Sequence, residues 1–506
     1  MSGRPTKVVM LVDNDVRRDS RVQKQARSMA ERGWDVTLLG INRDEEPIAP
    51  WKVGDATVEL VDYRPERIER AHLARSPRWR APLAYRNGTR ANYLVAWCLA
   101  QARVLEDRRE VSTSAPAKAV LSARIAGHRL LGGWRRFRRE RTVEARRHRA
   151  RMDTVIDRFS TAAWIRLLGS KSWNQLDPNI ESWDEAFAST IDRLRPDIIH
   201  ANDFRMLFVG ARATFRARAA GRDVKLVWDA HEFMPGVIHD TAHPRWIPSL
   251  QQLEAEHAQY ADAVLTVSDP IADLLQEHHH LPERPTVVLN TPIVGNDLPE
   301  DAPSVRARCG LADDVPLIVY SGYVDPNRGV GVVIESLGHL PDVHVALVVG
   351  QPDSQVVLGL VERAAELGAA DRLHILPYVP VEQIVNYLSS ATVGVHSLIH
   401  MMNHEISLAT KFYEYSQARL PIVGSDVRFM AETIRRTGQG EVFRVGDVDD
   451  FVRAVSAVLA DRDRYVAAYD QPGLLDTWTW EHQAEAMHAV YRELVDFDPQ
   501  TAGAVS

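Results

Sequence analysis

Only two cysteines occur in 506 residues, Cys98 and Cys309. That excludes a disulfide framework and a cysteine-built zinc site, and it suits a reducing cytoplasm. Long apolar runs are missing too, and none approaches the roughly 18 residues that a membrane-spanning helix needs. The amino-terminal stretch has five consecutive apolar residues, Val8 to Val12, too few for the core of a secretion signal, so it reads as a first β-strand. There is no excess of basic charge. The net charge of −7 gives no global reason to expect nucleic acid. Apolar residues at 45% and charged residues at 25% are ordinary globular values. A chain of this length exceeds what one core usually fills, so two or three domains are expected.

The positive signal is a repeated alternation of apolar runs and amphipathic segments. KVVMLV (7–12), a helix with Val22, Ala26, Met29 and Ala30 at helical spacing, and DVTLLGI (35–41) make a βαβ unit, which implies a parallel sheet. Asp19 or Ser20 can cap that helix. The pattern resumes with DIIHAND (197–203), KLVWDAH (225–231) and AVLTVS (263–268), and a second series contains PLIVYSG, HVALVVG, RLHILPYV, TVGVHSL and LPIVGSD. Near-continuous apolar strands are covered on both faces, and ligands meet such sheets at the strands' carboxyl ends. The expected fold is α/β, with two facing, doubly wound, Rossmann-like domains. Residues 1–291 form the first and 292–475 the second, followed by a helix within 476–497, able to pack back on the first domain, and a tail, 498–506.

A helical insertion at about 100–178 interrupts the first domain. Between Lys118 and Arg151 it holds 12 Lys or Arg against two Glu, interleaved with Leu121, Ile125, Leu130, Leu131, Trp134 and Phe137. One reading is a solvated helical excursion. Another is a basic helix lying in an anionic membrane surface, where each basic residue contributes on the order of 1 kcal/mol. Nucleic-acid binding has no accompanying motif.

The stretch SLATKFYEYSQARLPIVGSD (407–426) carries the chemistry. Read as a helix starting at Ser407, it offers open N–H donors at Leu408, Ala409 and Thr410, the kind of group that attracts phosphate. Lys411 adds positive charge, and Glu414 stands about 4.5 Å further along the axis. The competing reading is a plain i, i+3 ion pair. SGYVDPNRGVG (321–331) adds a glycine-bearing turn at Gly322 and a cation at Arg328, which with Lys411 could grip one diphosphate from two sides. WDAHEFMPG (228–236) places His231 and Glu232 just past a strand end, as an acid-base or hydroxyl-binding group or as a structural cap. HAND (200–203) poses the same choice for His200.

DNDVRRDSRVQKQA, DIIHAND, WDAHE, VVLNTP, GYVDPNRG and SLATKFYEYSQARLPIV, in that order, resemble the successive motifs of family 4 retaining glycosyltransferases, which have the GT-B fold and use nucleotide sugars. The resemblance implies that the second domain binds the donor. Glu414 would hold the ribose, Arg328 and Lys411 the diphosphate, and the loop at Tyr378 and Val379 the base, with Gly322, Ser407 and Leu408 completing the pocket. His231 would sit beside the transferred sugar as a catalytic residue with Arg328 and Lys411. The first-domain loop with Asp13, Asp19 and Arg21 would meet the acceptor, together with His200 and Glu232. The family's paired glutamates have seven residues between them, and counting back from Glu414 lands on Ile406, with Glu405 one step out of register.

The resemblance therefore implies a retaining glycosyltransferase needing neither metal nor cofactor. Its partners would be a UDP- or GDP-sugar, a glycan or lipid-linked acceptor and an anionic membrane surface at Lys118–Arg151, but no nucleic acid. The expected location is the cytoplasm, peripheral on the inner membrane face. The alternatives are a nucleotide-sugar epimerase on the same pair of domains and a non-catalytic, transferase-like scaffold. A single-domain, metal-dependent transferase using Asp13 and Asp15 would leave the second strand series unexplained.

Overall fold

The computed structural model describes residues 5–44, 46–63, 81–85, 88–151, 155–237, 244–294 and 304–496. The tail 498–506 lies outside the described residues. The chain divides into two compact units, one drawn from residues 1–62, 186–237 and 254–506, the other from 63–185 and 238–253.

The first unit contains two sheets. Strands β1 (Lys7–Leu11), β2 (Asp35–Asn42), β3 (Trp51–Val53), β4 (Ala56–Asp62), β5 (Ile198–Asn202), β6 (Lys225–Ala230), β7 (Ala263–Thr266) and β8 (Thr286–Val287) lie in the order β3-β4-β2-β1-β5-β6-β7-β8. All pairs are parallel except β3 with β4. The chain moves outward from β1 to β2 and later, in the opposite direction, from β5 to β8. The order therefore reverses between β1 and β5, which is where an open α/β sheet leaves a crevice at its carboxyl end.

The second sheet comprises β9 (Leu317–Ser321), β10 (His344–Val349), β11 (Leu373–Pro377), β12 (Val393–His396), β13 (Ile422–Ser425) and β14 (Gly440–Phe443). It is parallel throughout, ordered β11-β10-β9-β12-β13-β14. Its apolar strands have cores on both faces. Val333, Val345, Val393 and Phe451 fill one, and Val319, Phe412, Tyr415 and Ile422 the other.

Helix α1 (Ser20–Glu31) follows β1, and the Asp19 carboxylate accepts from the Val22 N–H at 3.3 Å, so Asp19 rather than Ser20 is the cap. In the second unit, α2 (Gly88–Val111) and α3 (Ala115–Arg151) run against each other. Cys98 and Ala102 of α2 and Ile125 of α3 are buried. Arg135 of α3 donates to the Leu94 carbonyl of α2 at 3.2 Å and lies over the Trp97 ring at 5.4 Å. This unit takes in 63–185 together with 238–253.

Further helices in the first unit are α4 (Asp203–Ala219), α5 (Thr410–Gln417), α6 (Arg428–Thr437) and α7 (Trp480–Leu494). Helix α7 follows the second sheet in sequence but joins the core of the first, where Trp480, Ala484, Met487 and Tyr491 are buried with Val8, Met10 and Met29. The Trp480 indole N–H donates to Ser28 Oγ at 2.8 Å, satisfying the one polar atom of a buried ring.

Candidate functional site

The carboxyl ends of the two sheets face each other within the first unit. The Phe233 N–H donates to Asn403 Oδ1 at 3.2 Å, and Ser268 Oγ donates to the Ile406 carbonyl at 2.6 Å.

On the second sheet, β9 runs into Gly322, whose φ of +139° lies in the region that favours glycine. A Cβ there would overlap the end of the Lys411 side chain, so the absence of a side chain is what admits that ammonium. Lys411 Nζ lies 3.3 Å from Tyr320 Oη and 4.4 Å above the Tyr320 ring. Tyr320 Oη donates to the Tyr323 carbonyl at 2.7 Å, leaving its lone pairs for Lys411. Burial and the Arg328 cation push Lys411 down to about 7, against Glu414 and Asp325, which raise it. Glu414, one turn along α5, is pushed up by burial, with Lys411 and Lys24 opposing.

Arg328 ends a 3₁₀ turn, Pro326–Arg328, capped by Asp325, whose carboxylate also lies 3.5 Å from Arg328 Nε. The Arg328 carbonyl accepts from Ser397 Oγ at 2.9 Å, tying this turn to the end of β12. Tyr378, half exposed, stacks over Gly350, where a Cβ would meet its ring at 2.7 Å, and Val379 is half-buried. Lys411, Arg328, Gly322 and Glu414 are thus brought together.

One expectation is corrected. The helix starts at Thr410 with Ala409 as its extended cap residue, not at Ser407. Ser407 Oγ donates back to the Asn403 carbonyl at 2.7 Å, and the Leu408 side chain is buried in the core. A hydroxyl satisfied locally and an apolar anchor end the preceding loop, so the helix is three residues shorter at its start.

On the first sheet the centre is Asp229, a fully buried carboxylate at the end of β6. Arg21 binds it with a two-pronged fork, Nε to Oδ2 at 3.0 Å and Nη2 to Oδ1 at 2.9 Å. Gln25 Nε2 donates to Oδ2 at 2.5 Å. His231 Nε2 lies 3.1 Å from the same oxygen, and His231 Nδ1 lies 3.3 Å from Asp203 Oδ1. Burial would lower the His231 pKa, but Asp203 and Asp229 outweigh it and raise it to about 10. Asp229 is held well below the usual range because Arg21 and His231 overcome the effect of its burial.

Two assignments to the acceptor side are corrected here. Arg21 is consumed by Asp229 and the Val288 carbonyl, 3.0 Å from Nη1, because a buried carboxylate requires a charged partner. His200 is fully buried, with Nδ1 2.7 Å from Tyr491 Oη. Both belong to the core beneath the site. Asp13 is half-buried and paired with Arg205, and burial pushes its pKa up. Asp19 lines a cavity of about 290 Å³ with Asn14, Arg18 and Asn290. Glu232 is exposed, and its carboxyl is pushed up by desolvation and then by Asp203, with His231 and Arg328 opposing.

Residues that the sequence reading missed include Asp229, Gln25 and Lys24. Lys24 Nζ donates to the Thr291 carbonyl at 2.5 Å and to Asn290 Oδ1 at 3.1 Å, where the chain leaves the first sheet. A carboxylate inside the apolar run KLVWDA was the available signal, since it demands buried donors. Among the described residues, no cluster of His, Cys, Asp and Glu is arranged to hold a metal ion, and no helix is long and apolar enough to cross a membrane.

The two-sheet architecture is the GT-B fold. It matches a sucrose-phosphate synthase from Thermosynechococcus elongatus with a TM-score of 0.61 at 15% identity over 97% of this chain and 99% of that one. It also matches an Anabaena protein, HepE, solved in complex with UDP and glucose, with a TM-score of 0.58 at 13% identity over 96% of this chain and 100% of that one. Residues 134–293 match the model for Glycosyltransferase Family 4, and residues 301–471 the model for Glycosyl transferases group 1. The chain belongs to a GT4-like glycosyltransferase family. Curated relatives include D-inositol 3-phosphate glycosyltransferases from Nocardia farcinica, 27% identical over 38% of this chain and 44% of the relative, and from Geodermatophilus obscurus, 24% identical over 52% and 65%. The chain thus spans about half to two thirds of the length of these relatives.

Proposed function

We propose that the chain is a retaining glycosyltransferase that moves a sugar from a UDP- or GDP-sugar to an acceptor hydroxyl, with the donor on the second sheet and the acceptor on the first. The observation that carries this reading is the meeting of Arg328, Lys411 and Glu414 beside the side-chain-free Gly322. Two cations can stabilise the charge that builds on a departing diphosphate, and a carboxylate one turn along α5 can take the ribose hydroxyls. The reading assigns this role to Arg328 and Lys411 without a metal or cofactor, and gives the base to Tyr378 and Val379.

The acceptor is a glycan or lipid-linked hydroxyl compound, and the second unit supplies the reason. On α3, Leu130 is 78% exposed and Trp134 49% exposed, amid the basic residues of Lys118–Arg151. Exposed apolar side chains within a cationic helix suit an anionic membrane surface. Enzyme held there works at the inner face of the membrane.

A thermal-shift screen against UDP, GDP, ADP and their sugars tests the donor site. Stabilisation by a diphosphate nucleotide, lost in Glu414→Ala, is expected, and turnover should release free nucleotide in proportion to glycoside formed. Release of an altered nucleotide sugar without any acceptor would instead mark an epimerase. Deleting Lys118–Arg151 should abolish binding to anionic vesicles, and vesicle binding that survives the deletion would remove the membrane role. One observation favours a second reading, a non-catalytic scaffold. Ile406, at the position of the family's first glutamate, is buried, and Glu405 is turned to the start of α6. Donor binding without turnover across a broad acceptor panel would select it.

A further inference from the structure

Helix α2 carries two apolar seams. Ala91, Val95, Cys98, Ala102 and Leu105, spaced by four and three residues in turn, are buried. This seam faces α3, where Gly132 lies against Cys98 so closely that a Cβ would meet it at 3.5 Å. The same spacing recurs two residues further on, through Tyr93, Trp97, Ala100, Val104, Asp107 and Val111. An offset of two residues turns a position by about 200° round the helix, almost to the opposite side. All six are exposed, Tyr93 at 65% and Val111 at 81%. A helix with one apolar stripe needs one partner, and a helix with two opposed stripes needs another on the far side.

Charge separates the partner of this stripe from that of α3. Helix α2 carries four Arg and three acidic residues, against 12 Lys or Arg and two Glu in Lys118–Arg151. A nearly neutral stripe gains little from anionic lipid, which attracts through basic side chains. The stripe is instead complementary to itself end for end. The rings of Tyr93 and Trp97 lie towards its amino-terminal end and the smaller Val104 and Val111 towards the other, with Ala100 between them. Two antiparallel copies therefore set large side chains against small ones. With Ala100 facing Val104, Asp107 falls opposite Trp97 and next to Tyr93, the seam residues that have an N–H or O–H to donate. A single polar residue in such a seam fixes its register.

We propose that the exposed stripe of α2 is a self-association surface, on which α2 of a second copy of this chain packs antiparallel. The same patch serves both copies, so the contact closes on a two-fold axis. From Tyr93 to Val111 the stripe runs about 27 Å. One helix pair of that length buries less than a standard interface, so the dimer has a dissociation constant on the order of 10 μM. The surface is independent of the donor and acceptor sites.

Sedimentation equilibrium of the full chain without lipid, up to about twenty times that constant, tests the proposal on wild type, Tyr93→Glu and Val104→Glu. Both positions are exposed, so melting temperatures should be kept. The expected result is a monomer–dimer equilibrium in wild type that each variant weakens tenfold or more, since pairing would bury the new carboxylate without a partner. Val111→Glu, at the exposed end of the helix, repeats the comparison where folding is least at stake. A wild type that stays monomeric throughout, or a dimer that all three variants leave intact, overturns the proposal. Flotation with phosphatidylserine–phosphatidylcholine vesicles runs alongside, and the three variants should bind as wild type does. A monomeric wild type whose vesicle binding is lost in these variants would assign the stripe to lipid and overturn the proposal as well.

Discussion

Lys411 Nζ stands 4.4 Å above the ring of Tyr320 and 3.3 Å from its hydroxyl oxygen, so the cation rests on an aromatic face and a phenol rather than on a carboxylate. With burial and Arg328 acting against its charge, Lys411 titrates at about 7. A bound diphosphate favours the charged form, so binding above that pH must take up a proton. The affinity for UDP or GDP, whichever binds, should therefore fall as pH rises above about 7, by up to roughly tenfold per unit. Calorimetry in two buffers of different ionisation enthalpy at pH 8 should show the proton uptake. Lys411→Arg, which stays charged throughout, should flatten the profile. An unchanged profile in that variant would assign the titration elsewhere.

Gly322 and Lys411 share one space. Gly322→Ala places a methyl group at a φ of +139° and against the Lys411 side chain, 2.9 Å from Cε. The backbone conformation alone should cost about 1–2 kcal/mol, and the displaced ammonium should weaken nucleotide binding. In a Lys411→Ala background the steric part should disappear, so the two substitutions should be less than additive in urea unfolding. Strict additivity would show that the two side chains do not compete.

His231 supplies a pH test on the first sheet. Its folded pKa, about 10, lies above the ordinary 6.5 because Asp203 and Asp229 outweigh burial. The raised value means that the stabilisation is fully present below about pH 6.5 and is lost as pH climbs towards 10. His231→Gln should accordingly destabilise the protein more at pH 6 than at pH 10. The wild-type imidazole resonance should not titrate between pH 6 and 8.5. A midpoint near 6.5 would mean that the two carboxylates do not hold it.

The sequence exposed the sheets better than their edges or the polar core. VVML in β1 and LIVY in β9 are continuous apolar runs, and such runs are visible without any partner. The hairpin β3–β4 and the strand β14 were missed because β3 (Trp51–Val53) and β14 (Gly440–Phe443) are short edge strands with half-buried residues, and the seven residues of β4 mix polar with apolar. Gly322, Arg328, Lys411 and Glu414 could be read as a group because each follows a strand end or sits on one helical face. Arg21 and His200 could not be placed correctly from sequence. Their partners, Asp229 and Tyr491, lie 208 and 291 residues away, and only folding shows that these polar groups satisfy each other in the core. The helix start was misplaced for a local reason, the Ser407 to Asn403 bond, which no propensity describes.

Glu405 and Ile406 make the sharpest contrast between pattern and structure. Glu405 Oε2 accepts from the Arg428 N–H at 2.5 Å, and Oε1 lies 2.6 Å from His400 Nδ1. The carboxylate therefore serves the start of α6. Ile406 is 2% exposed, and its carbonyl accepts from Ser268 Oγ. Glu405→Ala should cost about 0.5–1 kcal/mol through the lost cap, with nucleotide affinity unchanged. Ile406→Glu should not restore a sugar contact, because it buries a charge without a partner and should cost several kcal/mol. Thermal melts and UDP or GDP titrations of both variants decide the matter. Loss of nucleotide affinity in Glu405→Ala at an unchanged melting temperature would mean that this glutamate reaches the donor after all.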